Sequence, residues 1–391
     1  MKIAMVVPRY HPSVAGGAEL HARWLVEHLA AIGHELEVFT TAALDHYSWR
    51  NALKPGTERV DRITIHRFPT ERRDHRLFGD LEHAIVAGAE LSSADELAWL
   101  RNGVSSRSME EELARRHKQF DVLLAMPYLF GTTYFAFAAS QGEVALIPCL
   151  HDEPYAQLGF VRQMLSGAWG LMFNTPPEIE LAKRFASQLA RSTIVSLGFD
   201  PPAPADGSAF LRRHHLREPI LLFVGRLEEG KNVGELVDYF ITYKYRRPGQ
   251  LALVLAAGSG DFVLPVRSDI IRLRIDWRER DEMYRAATIF CQPSRKESLS
   301  IVSMQAWLAE RPVIVDGRGA VTRYHCEQSN GGLWFTNYLE FEAIVDRLLS
   351  DPPLRAALGR NGYEYVTSEY SWSRVMERFH QAVEKWRSSH A

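Results

Sequence analysis

Short apolar runs alternate along the chain with longer stretches of helical periodicity. Residues 3–7 form a first apolar run, closed by a turn from Pro8 to Gly17. Residues 18–32 then place Leu20, Trp24, Leu25, Leu29 and Ile32 at helical spacing, and Gly33 ends the helix. Residues 35–40 read as a second strand. Strand, helix, strand in that order predicts a parallel α/β sheet. The stretch 69–118 is more polar and less regular. Within it Ser108 to Glu111 reads as a capping box, and the cations Arg115 to Lys118 suit the end of that helix. Strands resume at 122–125, 145–148, 170–173 and 193–195.

Pro201, Pro202, Pro204 and Gly207 interrupt the alternation, which then restarts. Strands are expected at 220–224, 251–256, 289–291 and 313–315, with helices at 233–244, 281–287 and 301–308. The last segment, 371–386, sets Trp372, Val375, Met376, Phe379, Val383 and Trp386 on one helical face, which must pack on something. Two similar halves joined near residues 200–215 fit a chain of 391 residues. The expected division is 1–200, 201–370 and a terminal helix 371–391.

Composition narrows the function. Hydrophobic residues make up 46% and charged residues 24%, with a net charge of −2, so nothing favours a nucleic-acid binder. No apolar run reaches the ~18–20 residues of a membrane span, and the opening segment is too short for a signal-peptide core. Cys149, Cys291 and Cys326 are odd in number and far apart, which fits neither a disulfide framework nor a zinc site and suggests a reducing cytoplasm.

Four segments carry candidate chemistry. PRYHPSVAGGAE (8–19) follows a strand and opens a helix. Gly16 and Gly17 allow close backbone approach, and free helix-terminal amides favour an anion. An ordinary strand-to-helix turn is the plainer alternative. The segment is neither G-x-G-x-x-G nor a P-loop, which disfavours nicotinamide and ATP. In FVGRLEEGKN (223–232), Arg226 and Lys231 sit at a strand's carboxyl end, where they can neutralise a diphosphate or remain solvated charges. In QPSRKESLSIVSMQA (292–306), Glu297 precedes a helix, where it can complement the dipole or accept hydrogen bonds from sugar hydroxyls. CLHDEPY (149–155) gathers His151, Asp152 and Glu153. A metal site or a structural polar cluster are its two readings, and no recognised ligand spacing completes the first.

In this order, together with SLGFD (196–200), PSRKESLSIVSMQAWLAERPVI (293–314) and the amphipathic tail, these segments resemble glycosyltransferase family 4 over nearly the whole chain. The resemblance implies a GT-B fold, two Rossmann-like domains with parallel sheets facing a central cleft, and a last helix that returns to the N-terminal domain. It implies a retaining, metal-independent hexosyltransferase that moves sugar from a UDP- or GDP-sugar co-substrate, with no cofactor, onto a saccharide or lipid-linked acceptor. Cell-envelope polysaccharide or glycoconjugate synthesis is the expected setting. The expected location is the cytoplasm, with peripheral contact at the inner membrane face, to which Arg72-Arg73 and Arg115 to Lys118 could contribute.

By the same resemblance Gly16 and Gly17 pack on the donor diphosphate, and Arg226 and Lys231 bind its phosphates. Backbone amides of Leu299, Ser300 and Ile301 face sugar and phosphate. His151 and Glu297 are the catalytic residues beside the transferred sugar. Gln305 stands where the family has a ribose-binding glutamate, and Ser298-Leu299-Ser300 replaces a glycine-rich stretch. No Asp-x-Asp triplet occurs in the sequence, in keeping with fixed cations taking a metal's place. Other GT-B chemistry, such as a sugar-nucleotide epimerase or phosphorylase, and a non-catalytic sugar-nucleotide binder are the alternatives.

Overall fold

A computed structural model describes residues 1–14, 16–217 and 219–388. The chain divides into two units, one of Met1–Gly198 together with the segment from Val375 on, the other of Phe199–Arg374. These crossings lie slightly off the expected boundaries at 200 and 370. They run side by side in the second unit, where the Phe199 N–H donates to the Tyr370 carbonyl at 2.8 Å.

Among its described residues the first unit holds an eight-stranded sheet. Its strands are β1 (Lys2–Val6), β2 (Glu35–Thr41), β3 (Gly56–Val60), β4 (Ile63–Phe68), β5 (Val122–Ala125), β6 (Ala145–Leu146), β7 (Gly170–Phe173) and β8 (Ser192–Ile194). Their order is β3-β4-β2-β1-β5-β6-β7-β8, parallel except for the β3–β4 pair. The central strands are apolar and buried, as a sheet covered on both faces requires. The chain winds outward from β1 on one side and from β5 on the other, so the topological switch point lies between them.

The second unit repeats the scheme with six strands among the described residues. These are β9 (Ile220–Val224), β10 (Ala252–Ala256), β11 (Ile270–Leu273), β12 (Ile289–Gln292), β13 (Val313–Asp316) and β14 (Gly332–Phe335), in the order β11-β10-β9-β12-β13-β14. Every pairing is parallel. Its switch point lies between β9 and β12, the strands that precede GRLEEGKN and PSRKES.

Several expectations shift. The first helix is Gly17–Ala31, and Ile32, expected on its apolar face, is the exposed C-cap. Gly33 has φ +102°, the left-handed geometry that stops a helix. Ser108 caps nothing. The helix Arg107–Arg116 starts earlier with Ser106 at the N-cap, and Glu110 pairs with Arg101. The amphipathic tail is the helix Trp372–Ser388. Its expected face is buried, and Trp386 meets Trp169 edge to face at 5.5 Å in the first unit. Arg191 donates to the Trp386 carbonyl at 2.8 Å, fixing the helix end.

Each unit contains a buried histidine, His21 in the first and His325 in the second, whose charged form burial disfavours. Burial lowers the His21 pKa from 6.5 to about 4 and the His325 pKa from 6.5 to about 3. Unfolded, both take up a proton below about 6.5, while in the fold they stay neutral. The contribution of these two histidines is therefore complete above pH 6.5 and is lost as pH drops toward 4, by about 1.4 kcal/mol per pH unit for each group. Denaturant titrations between pH 7.5 and 4.5 should show this acid limb, and His325→Gln should flatten the second unit's share. An unchanged midpoint across that range would show that the histidines protonate in place.

Candidate active site

Gly16, Arg226, Lys231 and Glu297 lie on loops at the carboxyl ends of β1, β9 and β12, beside the two switch points, whereas His151 follows β6 and Gln305 lies within a helix. In the first unit Gly16 is the N-cap of the helix Gly17–Ala31 and offers no side-chain cap, so the first amides are left open to an anion. The two glycines differ. A Cβ at Gly17 would meet nothing within 4 Å, whereas one at Gly16 would lie 2.1 Å from Glu19 Oε2. Glu19 is buried against Arg9, whose Nε donates to Oε1 at 2.8 Å and whose Nη1 donates to the Leu44 carbonyl at 3.0 Å. A side chain at Gly16 would thus push the Glu19 carboxylate off Arg9, and Gly17 faces open space. The Arg9–Glu19 pair was invisible to motif reading because it is a contact between a loop and a helix.

His151 follows β6, with its side chain about one-third exposed and its Nδ1 3.8 Å from Glu153 Oε1. The Tyr128 hydroxyl donates to that same oxygen. Asp152 turns away to Arg184 at 2.9 Å, so the three consecutive polar residues do not converge. Cys149 is buried with φ +51°. Among the described residues no three His, Cys, Asp or Glu side chains gather as metal ligands.

In the second unit the loop after β9 carries Arg226 and Lys231, and the loop after β12 carries Glu297. The structure joins Lys231 to Glu297, with Nζ donating to Oε1 at 2.7 Å and both side chains largely covered (22% and 12% exposed). Arg226 is more open (44%) and reaches Glu228 at 3.0 Å. Leu299 and Ser300 are buried beyond Glu297, and Ser300 holds φ +66° at the N-cap of the helix Ile301–Leu308. No side chain caps this helix either, so its first amides remain available. Gln305, on the same helix, is buried, and its Oε1 accepts from the Tyr284 hydroxyl at 3.1 Å. The carbonyl expected to serve a ribose is therefore engaged with a protein partner.

Behind these loops lies a polar frame that the sequence did not reveal. Asp316, at the end of β13 and fully buried, accepts from Arg295 Nε at 2.7 Å and Arg318 Nε at 2.8 Å. Glu235 binds the same two arginines. Burial alone would raise the Glu235 pKa, but hydrogen bonds from Arg318, Asn232 and Tyr239 and the charge of Arg295 hold it at about 2. Asn232, left-handed at φ 56°, donates to Glu235 at 2.7 Å and to the Pro293 carbonyl at 3.2 Å. One side chain thus ties the Lys231 loop to the Glu297 loop.

Arg226 is braced through its neighbour. The Leu227 N–H donates to the Ser259 carbonyl at 3.0 Å, and its own carbonyl accepts from Phe262 at 3.0 Å. Gly260 has φ +120°, and a Cβ there would lie 2.2 Å from the Leu227 oxygen. Gly260→Ala should therefore displace Leu227 and Arg226, costing about 1–3 kcal/mol. A lowered melting temperature with a raised donor KM is the expected pair of results. Wild-type values for both would show that this loop does not hold Arg226.

Residues 210–365, within the second unit, match the family model described as glycosyl transferases group 1. An uncharacterized glycosyltransferase of Methanocaldococcus jannaschii is 23% identical over 402 residues, covering 96% of each chain. A D-inositol 3-phosphate glycosyltransferase of an Arthrobacter species is 22% identical over 417 residues, covering 96% of this chain and 92% of its own. The solved structure of an Anabaena protein in complex with UDP and glucose superposes with a TM-score of 0.70 at 15% identity, covering 98% of this chain and 99% of that one. Two parallel-sheet α/β units and a group 1 domain over the second define a glycosyltransferase of the GT-B architecture.

Proposed function

We propose that this glycosyltransferase moves a sugar from a nucleoside diphosphate sugar, a UDP- or GDP-sugar, to an acceptor hydroxyl with retention and without a metal ion. The observation that carries the reading is the Lys231–Glu297 pair, which sets a cation and a carboxylate side by side on the loops flanking the β9–β12 switch point. Such a pair suits a ligand with a diphosphate joined to a polyol. Lys231 and Arg226 take the phosphate charge that grows as the sugar–oxygen bond breaks. Glu297 accepts hydrogen bonds from sugar hydroxyls. The amides of Leu299, Ser300 and Ile301 serve sugar and phosphate, while Gln305, whose carbonyl is held by Tyr284, is left out of the donor contacts.

In the reaction, the bond from the anomeric carbon to the β-phosphate oxygen breaks and the acceptor oxygen bonds to that carbon on the same face. The acceptor's proton passes to the departing phosphate, which becomes the nucleoside diphosphate. In the first unit Gly16 and Gly17 serve the diphosphate, and His151 orients sugar or acceptor. The UDP and glucose held by the Anabaena structure support this donor class. The acceptor is a saccharide or a lipid-linked saccharide, met at the membrane surface in envelope polysaccharide assembly. Membrane contact on this reading is peripheral; no helix of the described residues is long and apolar enough to cross a bilayer.

The test is a panel of UDP- and GDP-sugars with saccharide acceptors in excess EDTA, with the product's anomeric configuration read by NMR. The expected result is full activity under chelation and a product anomer matching the donor. An inverted anomer, or activity lost to EDTA and restored by magnesium or manganese, contradicts the reading.

A further inference from the structure

Glu178 is a buried carboxylate that the proposed chemistry does not use. It lies in the first turn of the helix Pro176–Phe185 and is about 1% exposed. Its two oxygens hold two different loops. Oε1 accepts the Leu150 N–H at 2.6 Å, and Oε2 accepts the Asn174 N–H at 2.7 Å. Leu150 immediately precedes His151, and Asn174 immediately follows β7. The carboxylate also accepts from the Thr175 backbone N–H, while the Thr175 hydroxyl accepts from the Glu178 N–H at 3.4 Å, so it closes the helix's capping box as well as holding the two loops.

Burying a carboxylate is costly and desolvation pushes the Glu178 pKa up, but both oxygens face backbone N–H donors, from Asn174, Leu150 and Thr175, which favour its charged form. What the carboxylate adds is control of the turn before His151. That turn needs control, because Cys149 is held at φ +51°, a region non-glycine residues rarely adopt. Asn174 contributes a second tie, with Nδ2 donating to Cys149 Sγ at 3.7 Å. The segments that follow β6 and β7 are thereby joined at the turn before His151.

We propose that Glu178 is a positioning residue for His151. It clamps the Leu150–His151 peptide so that the imidazole keeps one orientation toward the substrate. The inference rests on the reading of His151 as a substrate contact. A carboxylate suits the task because its two acceptor oxygens can serve two amide donors at once. The Glu178→Gln substitution would leave one acceptor and oppose one backbone amide with a side-chain N–H. The clamp would then open on one side while the side-chain volume stayed the same.

The experiment measures kcat and donor KM for His151→Ala, Glu178→Gln and the double variant, with circular dichroism and thermal melting as fold controls. Hydrogen exchange of the segment 147–153 is followed in parallel. Glu178→Gln should lower kcat about 10–100-fold with donor KM within twofold, and exchange at 147–153 should rise. The double variant should be no slower than His151→Ala alone, because the clamp acts only through the imidazole. Should Glu178→Gln fail to fold, Glu178→Asp is measured in its place, with the same split expected. If His151→Ala is impaired while the Glu178 variant turns over normally, the positioning role is wrong and the His151 reading stands. A double variant slower by the product of the two single losses also overturns the positioning role. If His151→Ala transfers normally, the His151 reading itself fails.

Discussion

Lys231→Ala should lower the transfer rate by about 10²–10³-fold with the fold intact. Removing one preorganised donor to a developing oxyanion typically costs about 2.7–4 kcal/mol, and Lys231 is well placed to be such a donor. It is largely covered, ends the short turn after β9, and lies beside the switch point where ligands bind in sheets of this kind. The substitution also strands Glu297, whose carboxylate is only 12% exposed and loses its 2.7 Å partner. Both effects act on the same ligand. Arg226→Ala should also lower the rate, but less, since Arg226 is more exposed. Steady-state rates at saturating donor, with circular dichroism as a fold control, measure this. Rates within a few-fold of wild type for both variants would remove the diphosphate assignment.

Glu297→Ala should abolish transfer, because a covered, charged acceptor is lost beside the proposed sugar. Glu297→Gln should keep part of the activity, since one carbonyl acceptor remains. The contact with Lys231 makes a sharper expectation possible. If the two act as one unit, Lys231→Ala combined with Glu297→Ala should cost far less than the product of the single losses. Additive losses would mean that the pair forms in the free protein but that its members serve the reaction separately. Normal transfer by Glu297→Ala would remove the sugar-binding role altogether.

The parts of this fold visible in the sequence were those that depend on neighbours along the chain. β1, β9 and β12 are near-continuous apolar runs, so their being buried strands of parallel sheets followed directly. The terminal helix was equally plain from its single apolar face. The β3–β4 hairpin was missed because its two-residue turn, Asp61-Arg62, carries no glycine, and β3 is exposed along its length. The helix His75–Val86 was missed although Phe78, Leu81 and Ile85 stand at helical spacing and pack on the core, because that stripe was submerged in a stretch read only as polar and irregular.

The site divides in the same way. Gly16, Arg226, Lys231 and Glu297 were singled out by position after strands, and Gln305 by the family resemblance. Glu19, Glu178, Asp316 and Tyr284 did not, because each matters through a partner many residues away or on another element. The Lys231–Glu297 contact spans 66 positions, and no spacing rule could supply it.

The most direct test of the diphosphate assignment is calorimetric titration of UDP and GDP, in excess EDTA, into the wild-type protein and Lys231→Ala. One of the two nucleotides should bind the wild type without a metal, and Lys231→Ala should bind it about 100-fold or more weakly. Equal affinity for the two proteins, or binding that appears only when magnesium is restored, would contradict the account.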